Sequence, residues 1–139
     1  MQFVILMGIQ GAGKSTFCRQ RFFDTHVRIN LDMLRTRHRE RMLFQACLAC
    51  GQHMVVDNTT PTVADRARYI EPAKAAGVEV VGYYFSSRVS EALRRNIQRG
   101  GAQRVPEKAI LGTAGRLELP TLTEGFDALF YVTCKGPGE

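Results

Sequence analysis

The segment GIQGAGKS at residues 8–15 constrains the fold of this chain more than any other feature. It matches the pattern G-x-x-x-x-G-K-[ST] in full, and it follows the apolar run FVILM at residues 3–7, which predicts a buried strand. A helix is predicted directly after it, over residues 14–22. Glycines in such a turn let backbone amides approach phosphate oxygens, and the N-terminus of the helix favours negative charge. We therefore predict a cradle for nucleotide phosphates; the alternative is a glycine-rich turn with an incidental lysine.

The side chains of this cradle have separate expected roles. Lys14 is expected to reach the β- and γ-phosphates, Ser15 to ligate magnesium, and Thr16 to bond the α-phosphate. ATP and Mg²⁺ are therefore the expected cofactors. The residues of this segment that are expected to bind ATP are Gly8, Gln10, Gly11, Ala12, Gly13, Lys14, Ser15 and Thr16.

Apolar segments alternate with helix signals along the rest of the chain. Strands are predicted over residues 2–7, 27–29, 54–56, 78–85 and 128–132. Further helices are predicted over residues 31–50 after the cap Asn30, over 61–76 before Gly77, over 90–99 from the cap Ser90, and from Pro106 onward. Such alternation implies right-handed crossovers and a parallel sheet covered on both faces. One α/β domain over residues 1–139 is expected, because no linker or repeat divides the chain.

Composition limits the class of protein. The chain is 45% hydrophobic and 23% charged, which argues against disorder. Its longest early apolar run is too short to span a bilayer and lacks the flanks of a signal peptide, so a cytoplasmic protein is expected. The four cysteines complete no zinc site, and we interpret them as reduced thiols that pack helices. The net charge of +6 comes mainly from arginine, which suits phosphate binding but would equally serve a solvated surface.

Two aspartates follow predicted strands, and each has two interpretations. Asp57 ends the third strand, where P-loop proteins hold a carboxylate associated with magnesium; the alternative is a cap on the turn formed with Asn58 and Thr59. Asp32 follows the second strand, where a carboxylate takes the proton of an attacking hydroxyl in nucleotide kinases. Its alternative is an aspartate that the helix macrodipole favours at a helix start.

An arginine-rich segment favours phosphate transfer over a binding switch. In SEALRRNIQRGG, residues 90–101, Arg95 and Arg99 lie four apart on one predicted helix face, and a glycine pair follows. This pattern is typical of a lid that brings positive charge to a phosphoryl group and excludes water. Arg99 is the expected catalytic contact, whereas Arg94 is expected to be solvated. A GTPase-type switch is disfavoured, because DNTT at residues 57–60 lacks the glycine of D-x-x-G and no N-K-x-D segment occurs.

These segments together resemble the kinase domain of 5′-hydroxyl polynucleotide kinases, especially the animal phosphatase-kinase repair enzymes. The matching stretches are GAGKSTF at residues 11–17, NLD at 30–32, VDNT at 56–59, DRARY at 65–69, AAGV at 75–78 and PTLTEGF at 120–126. They recur in order over nearly the whole chain. The resemblance implies a P-loop NTPase fold, with a five-stranded parallel sheet in the order 2-3-1-4-5, flanking helices and a short lid.

The resemblance also implies roles for individual residues. Asp32 takes the general-base position and Arg99 that of the lid arginine. Leu31 stands where the animal enzymes have an arginine. Arg35, expected one turn after Asp32 and on the same helix face, resembles the arginine that the phage enzyme uses there. The implied catalytic residues are Asp32, Lys14 and Arg99, with Arg95 added to the ATP site and Ser15 and Asp57 at the metal. The implied acceptor contacts are Asp32, Arg35, Thr59, Arg66 and Arg68.

The expected reaction is ATP-dependent phosphorylation of the 5′-hydroxyl end of DNA or RNA. The basic run RTRHRER at residues 35–41 adds positive charge beside the acceptor cleft, although Arg37 and Arg41 would equally lie on a solvated helix face. The alternative for Arg66 and Arg68 is solvation of their helix or pairing with Asp65 and Glu71. The first alternative is a P-loop kinase for a small-molecule hydroxyl on a sugar, nucleotide sugar, nucleoside or antibiotic. The second is a nucleotide-binding adaptor without chemistry.

Overall fold

A parallel sheet forms the centre of the molecule, and the computed structural model describes residues 1–86, 88–99 and 104–133 of it and its flanking elements. The described strands lie in the order β2-β3-β1-β4-β5, and all adjacent pairs are parallel. The predicted fold class and strand order are therefore confirmed. The elements are β1 (Gln2–Met7), α1 (Lys14–Phe22), β2 (Val27–Ile29), α2 (Leu31–Leu34), α3 (Arg37–Cys50), β3 (Met54–Asp57), α4 (Val63–Ala75), β4 (Glu79–Ser86), α5 (Val89–Gln98), α6 (Glu107–Arg116) and β5 (Ala128–Thr133), with a 3-10 turn at Leu122–Glu124.

The central strand β1 is buried on both faces, which explains why its sequence is a continuous apolar run. Successive side chains of a strand point to opposite faces, so β1 contributes to two separate cores. Phe3 and Ile5 pack with Phe44 of α3 and Ile70 of α4 on one face. The other face packs against α1, α5 and α6 through the buried residues Val4, Leu6, Cys18, Phe22, Ala92 and Ile110.

The helix predicted over residues 31–50 is two helices. The Asn30 side chain caps α2 as expected, because its Oδ1 accepts from the Met33 amide at 2.9 Å. The chain then turns at Arg35, whose φ is 78°, and the Thr36 hydroxyl accepts from the Arg39 amide to begin α3. The first helix therefore ends after one turn, and a second side-chain cap within the run begins the next helix. Asp32 and Arg35 therefore do not share the face of one continuous helix.

Both ends of α5 differ from the sequence prediction. Ser90 lies inside α5, which begins at Val89, so the prediction that Ser90 caps this helix is wrong. Arg99 follows the last residue of α5 with extended backbone angles, φ −78° and ψ 144°, because the helix ends at Gln98. It therefore does not continue the helix face of Arg95. The predicted glycine pair of the lid lies outside the described residues.

The described cysteines are free thiols in different environments. Cys18 and Cys47 are buried as predicted, and burial raises the pKa of the Cys18 thiol to about 11. Cys50 is exposed at the end of α3, so the prediction that it packs a helix is wrong. Cys134 lies outside the described residues. Among the residues that the structure describes, no helix has the length and apolar character needed to cross a membrane.

Candidate active site

The loop between β1 and α1 is closely packed, and its glycines are required by that packing. Gly8, Gly11 and Gly13 all have positive φ, at 148°, 81° and 98°. A Cβ on Gly11 would lie 2.9 Å from the carbonyl oxygen of Ala92 in α5, and one on Gly8 would lie 2.9 Å from that of Phe85. Any other residue would force the loop away from β4 and α5. The sequence pattern therefore forms the strand–loop–helix that it predicts, directly against the start of α5.

Lys14 is the charged group at the centre of this loop. Its Nζ donates to the carbonyl oxygens of Gly8 and Ile9, both at 2.8 Å, and the residue is only 8% exposed. Burial is the main reason that the pKa of Lys14 is lowered from 10.5 to about 8; the charge of Asp57 opposes this shift, and that of Arg99 adds to it. A buried ammonium held by neutral carbonyls would gain from anionic partners such as phosphate oxygens. The lysine is thus placed to bind phosphate at the cost of its loop contacts.

The depressed pKa of Lys14 predicts how nucleotide binding depends on pH. Phosphate favours the protonated lysine, so this group should leave ATP affinity nearly constant below about pH 7. The affinity is expected to fall about tenfold between about pH 7 and pH 9, as the Lys14 ammonium, whose pKa is about 8, loses its proton. The binding reaction should take up protons at pH 8.5. Titration calorimetry in buffers of different ionisation enthalpy measures both quantities.

Lys14→Arg is the control for this prediction, because a guanidinium stays charged throughout that range. Its ATP affinity is expected to be weaker but independent of pH from 7 to 9. A wild-type affinity that does not change over this range would contradict the assignment.

Ser15 and Asp57 lie together beside the cradle. The Ser15 hydroxyl donates to Asp57 Oδ2 at 3.0 Å, and the Asp57 side chain is 1% exposed. A hydroxyl and a carboxylate are the hard oxygen ligands that Mg²⁺ prefers, and magnesium sites in such proteins use one or two protein oxygens with waters and phosphates. The described contacts of the carboxylate are to Ser15 and Arg28 rather than to the following turn. This arrangement fits the metal interpretation of Asp57 better than the cap.

Arg28 is a site residue that the sequence prediction missed. It lies in β2, and its Nε donates to Asp57 Oδ2 at 2.8 Å. A charged residue within the short strand VRI was a visible signal, but its partner lies 29 residues further along the chain. The carboxylate expected to associate with magnesium thus already has a cationic partner.

The turn that carries Asp32 is fixed to the end of β3. The Asn30 Nδ2 donates to the carbonyl oxygen of Asp57 at 2.6 Å, and the Leu31 amide donates to Asn58 Oδ1 at 2.9 Å. Asp32 itself is exposed in the first turn of α2. Its carboxylate is therefore carried by a segment bound to the same strand end that presents Asp57 to Ser15.

Asn58 is held by a buried polar network centred on Glu40. Asn58 Nδ2 donates to Glu40 Oε2 at 3.1 Å, and the Tyr69 hydroxyl donates to Glu40 Oε1 at 2.8 Å. Arg37 also donates to Glu40 Oε1 at 2.9 Å, so Arg37 is an ion-pair partner rather than a purely solvated residue. Glu40 is 2% exposed, and burial raises the pKa of Tyr69 to about 12. This network joins α3 and α4 to the turn before Asp32, and sequence reasoning found none of it.

The helices after β4 contact the cradle directly. Arg95 Nη1 donates to the Gly11 carbonyl oxygen at 2.9 Å, and Gln10 Nε2 donates to Thr113 Oγ1 of α6 at 3.0 Å. Arg99 lies near enough to Lys14 for its charge to lower the pKa of that lysine. Two arginines expected at the phosphates are thus found beside the loop, although they do not share one helix face.

Arg66 is not an acceptor contact in this structure. Its side chain is fully buried, and it forms a bidentate ion pair with Glu124, at 2.7 Å from Nε and 3.1 Å from Nη2. The remaining Nη1 donates to the carbonyl oxygens of Thr60 and Pro61. The prediction that Arg66 holds an acceptor phosphate is therefore wrong, because its donors are used in joining α4 to the Leu122–Glu124 turn.

The other expected acceptor residues remain accessible to different degrees. Arg68 is exposed on α4, and Arg35 is exposed at the turn between α2 and α3. Thr59 is half-buried, and its carbonyl oxygen accepts from the Gly8 amide at 3.1 Å, which gives it a backbone role in holding the loop. Their contacts with an acceptor stay predictions.

Together, a parallel sheet of order 2-3-1-4-5, a glycine loop after β1 and a serine–aspartate pair define a P-loop nucleotide-binding protein with the fold of P-loop kinases. A family model described as an AAA domain matches residues 3–120, and the chain belongs to this family.

Individual relatives agree with this assignment. The chain is 27% identical to the bifunctional polynucleotide phosphatase/kinase of Schizosaccharomyces pombe over 129 residues, which are 90% of this chain and 32% of that protein. This match confirms the resemblance predicted from the sequence, and the chain spans about a third of the length of this relative.

Solved structures show the same fold at low sequence identity. A gluconokinase from Sinorhizobium meliloti 1021 has a TM-score of 0.63 at 19% identity, covering 98% of this chain and 84% of that one. A sugar kinase from Janibacter sp. HTCC2649 has a TM-score of 0.70 at 15% identity, covering 96% and 85%. At such identities these likenesses show the fold alone.

Proposed function

We propose that this chain is an ATP- and magnesium-dependent kinase that phosphorylates the 5′-hydroxyl ends of DNA or RNA. The observation that carries the proposal is that Asp57 and the segment bearing Asp32 are both held at the end of β3. Asp57 bonds Ser15 at 3.0 Å, and its own carbonyl oxygen holds Asn30, two residues before Asp32. The segments that carry the proposed metal carboxylate and the proposed general base are thus joined at the end of β3, which supports their action at one site. The similarity to a polynucleotide phosphatase/kinase supports the choice of acceptor.

In the proposed reaction, residues of the chain position the substrates, neutralise the charge of the phosphoryl group and deprotonate the acceptor hydroxyl. The loop amides, Lys14 and Arg99 stabilise the charge of the transferring phosphoryl group. Ser15 and Asp57 would hold Mg²⁺, which supplies neutralisation of phosphate charge when bound. Asp32 accepts the proton of the acceptor hydroxyl as its oxygen forms a bond to the γ-phosphorus. The bond from that phosphorus to the β,γ-bridging oxygen breaks, and ADP leaves.

The acceptor side of the proposal rests on exposed cations near Asp32. Arg35 is exposed three residues after Asp32 and has a φ of 78°, a conformation that residues other than glycine rarely adopt. Strained backbone of this kind costs about 1–3 kcal/mol and concentrates at functional sites. An arginine in a conformation that favours glycine suggests that its side chain has a function that offsets the strain. We infer that this function is contact with an acceptor phosphate. Arg68 and Thr59 are the other proposed contacts.

An oligonucleotide kinase assay tests the function. Short 5′-hydroxyl oligonucleotides and a panel of sugars, nucleosides and other small alcohols are incubated separately with labelled ATP. We expect label on the oligonucleotides, with an apparent affinity that falls steeply as salt increases. Label on the small alcohols alone would replace the proposal with a small-molecule kinase, and ATP binding without transfer would replace it with an adaptor.

Arg35→Gly sharpens this assay, because glycine adopts the positive φ without strain and removes only the cation. We expect weaker oligonucleotide binding and a salt dependence reduced by about one phosphate contact. Arg116→Ala is the control, since Arg116 is an exposed arginine in the last turn of α6. An unchanged salt dependence in Arg35→Gly would remove Arg35 from the acceptor site.

A further inference from the structure

The carboxylate of Asp57 has an unusual set of partners for a metal ligand. Its Oδ2 accepts from the Ser15 hydroxyl at 3.0 Å and from Arg28 Nε at 2.8 Å. A carboxylate oxygen has two lone-pair sites, so these two donors saturate it. The Asp57 side chain is 1% exposed, whereas that of Arg28 is 38% exposed. The arginine thus reaches from the surface to a buried oxygen.

The charge balance of this pair explains why the arginine is there. An ionised carboxylate with almost no solvent contact is strongly destabilised unless a cation compensates it. Arg28 supplies that compensation by direct contact, and the Lys14 ammonium lies near enough for its charge to interact with Asp57 as well. A divalent cation held by Ser15 and Asp57 would supply the same compensation at the same oxygen. The guanidinium and the metal ion are therefore alternatives at Oδ2.

The surroundings of Arg28 leave space for it to move aside. Arg28 lines a surface pocket of about 380 Å³ between α1 and β2, together with Ser15, Cys18 and Phe22. A partly exposed guanidinium that leaves Asp57 would therefore enter a solvated pocket rather than a packed core. Arg19 lines the same pocket, and its described contacts do not include Asp57.

We propose that Arg28 is a built-in counter-ion of the metal carboxylate, which occupies Asp57 until a divalent cation displaces it. This inference rests on the proposed magnesium site but not on the identity of the acceptor. It follows that the chain binds free divalent cations weakly, because each must first displace the arginine. The metal is then expected to enter with the nucleotide, whose phosphates add ligands that the protein alone does not offer.

Manganese binding to the full chain without nucleotide tests the proposal, because Mn²⁺ is visible by electron paramagnetic resonance. We expect Arg28→Gln to bind Mn²⁺ about three- to tenfold more tightly than wild type, the range for loss of a partly exposed competing ion pair. Arg19→Gln is the matched control and is expected to bind like wild type. Equal or weaker Mn²⁺ binding by Arg28→Gln would overturn the proposal.

Two further variants separate the possible failures. Arg28→Lys keeps the charge but lacks the Nε–H donor, so it should bind Mn²⁺ with an intermediate affinity, and it serves if Arg28→Gln does not fold. Asp57→Asn should abolish the binding in both backgrounds. If Asp57→Asn leaves Mn²⁺ binding unchanged, the proposed metal site itself is wrong. If it abolishes binding but neither Arg28 variant tightens it, only the counter-ion role fails.

Discussion

Asp32→Asn is expected to lower the rate of phosphoryl transfer by about a hundred- to ten-thousandfold, the usual contribution of a positioned general base. The amide has nearly the shape of the carboxylate but does not accept the proton of the acceptor hydroxyl. Asp32 is exposed, and Asn30 and Leu31, which bind the end of β3, are unchanged in this variant. ATP affinity should therefore remain within about twofold of wild type, since the phosphate loop is not touched. Single-turnover kinetics with labelled ATP measures the transfer step, and calorimetry measures the affinity.

Asp24→Asn is the matched control for this experiment. Asp24 is also an exposed aspartate, but it follows α1 at the opposite end of that helix from Ser15. Its variant should transfer phosphate at the wild-type rate. If Asp32→Asn keeps most of its activity, Asp32 is not the base. If it loses ATP binding as well, the turn contributes to the nucleotide site instead.

Arg66→Ala is expected to destabilise the fold by about 3–5 kcal/mol, the cost of removing one partner of a buried ion pair. The variant leaves the carboxylate of Glu124, which is 6% exposed, without its bidentate partner, and it leaves the Thr60 carbonyl oxygen without a donor. Urea denaturation followed by circular dichroism measures the free energy of unfolding. Arg68→Ala is the control on the same helix and should change stability by less than about 0.5 kcal/mol, because Arg68 is exposed.

The double variant Arg66→Met with Glu124→Leu distinguishes a structural role from a functional one. Replacing both partners of a buried ion pair by apolar side chains is often neutral for stability, so we expect it to recover the part of the loss that comes from the unpaired Glu124 carboxylate. The Thr60 carbonyl oxygen and the Thr121 amide still lack their partners in this variant, so the recovery should be partial. An Arg66→Ala protein that is as stable as wild type but binds oligonucleotides weakly would return Arg66 to the acceptor site.

Much of the fold follows from local signals in the sequence. The phosphate loop requires a strand before it and a helix after it, and the alternation of apolar segments with helix caps predicts the parallel sheet. The boundaries of β1, α1 and β2 agree with the prediction to the residue. The break between α2 and α3 was not predicted, although Thr36 was available as a cap. Asn30 and Thr36 are both suitable caps within one helical run, and the sequence alone does not show that the second cap interrupts the run.

For the site, too, the sequence predicts residues whose roles depend on their neighbours and misses those whose partners are far away in the chain. Residues within the loop motif are recognised because their roles depend on near neighbours. Arg28, Glu40 and Arg66 acquire their roles from partners that lie 29, 29 and 58 residues away. Such pairings depend on the packing of helices onto the sheet, which no local pattern encodes. Arg66 is an example, because an arginine at this position suggested an anion contact, whereas the side chain is buried and joins two segments through its ion pair with Glu124.

The close approach of Gly11 to Ala92 has a mechanical consequence. With no Cβ between them, and with Arg95 bonded to the Gly11 carbonyl oxygen, the loop and the middle of α5 are in direct contact, with no flexible side chain between them. A displacement of the loop by a fraction of an ångström is therefore transmitted to α5 instead of being absorbed by side chains. A ligand that displaces the loop is then expected to shift α5 and Arg95 together with it.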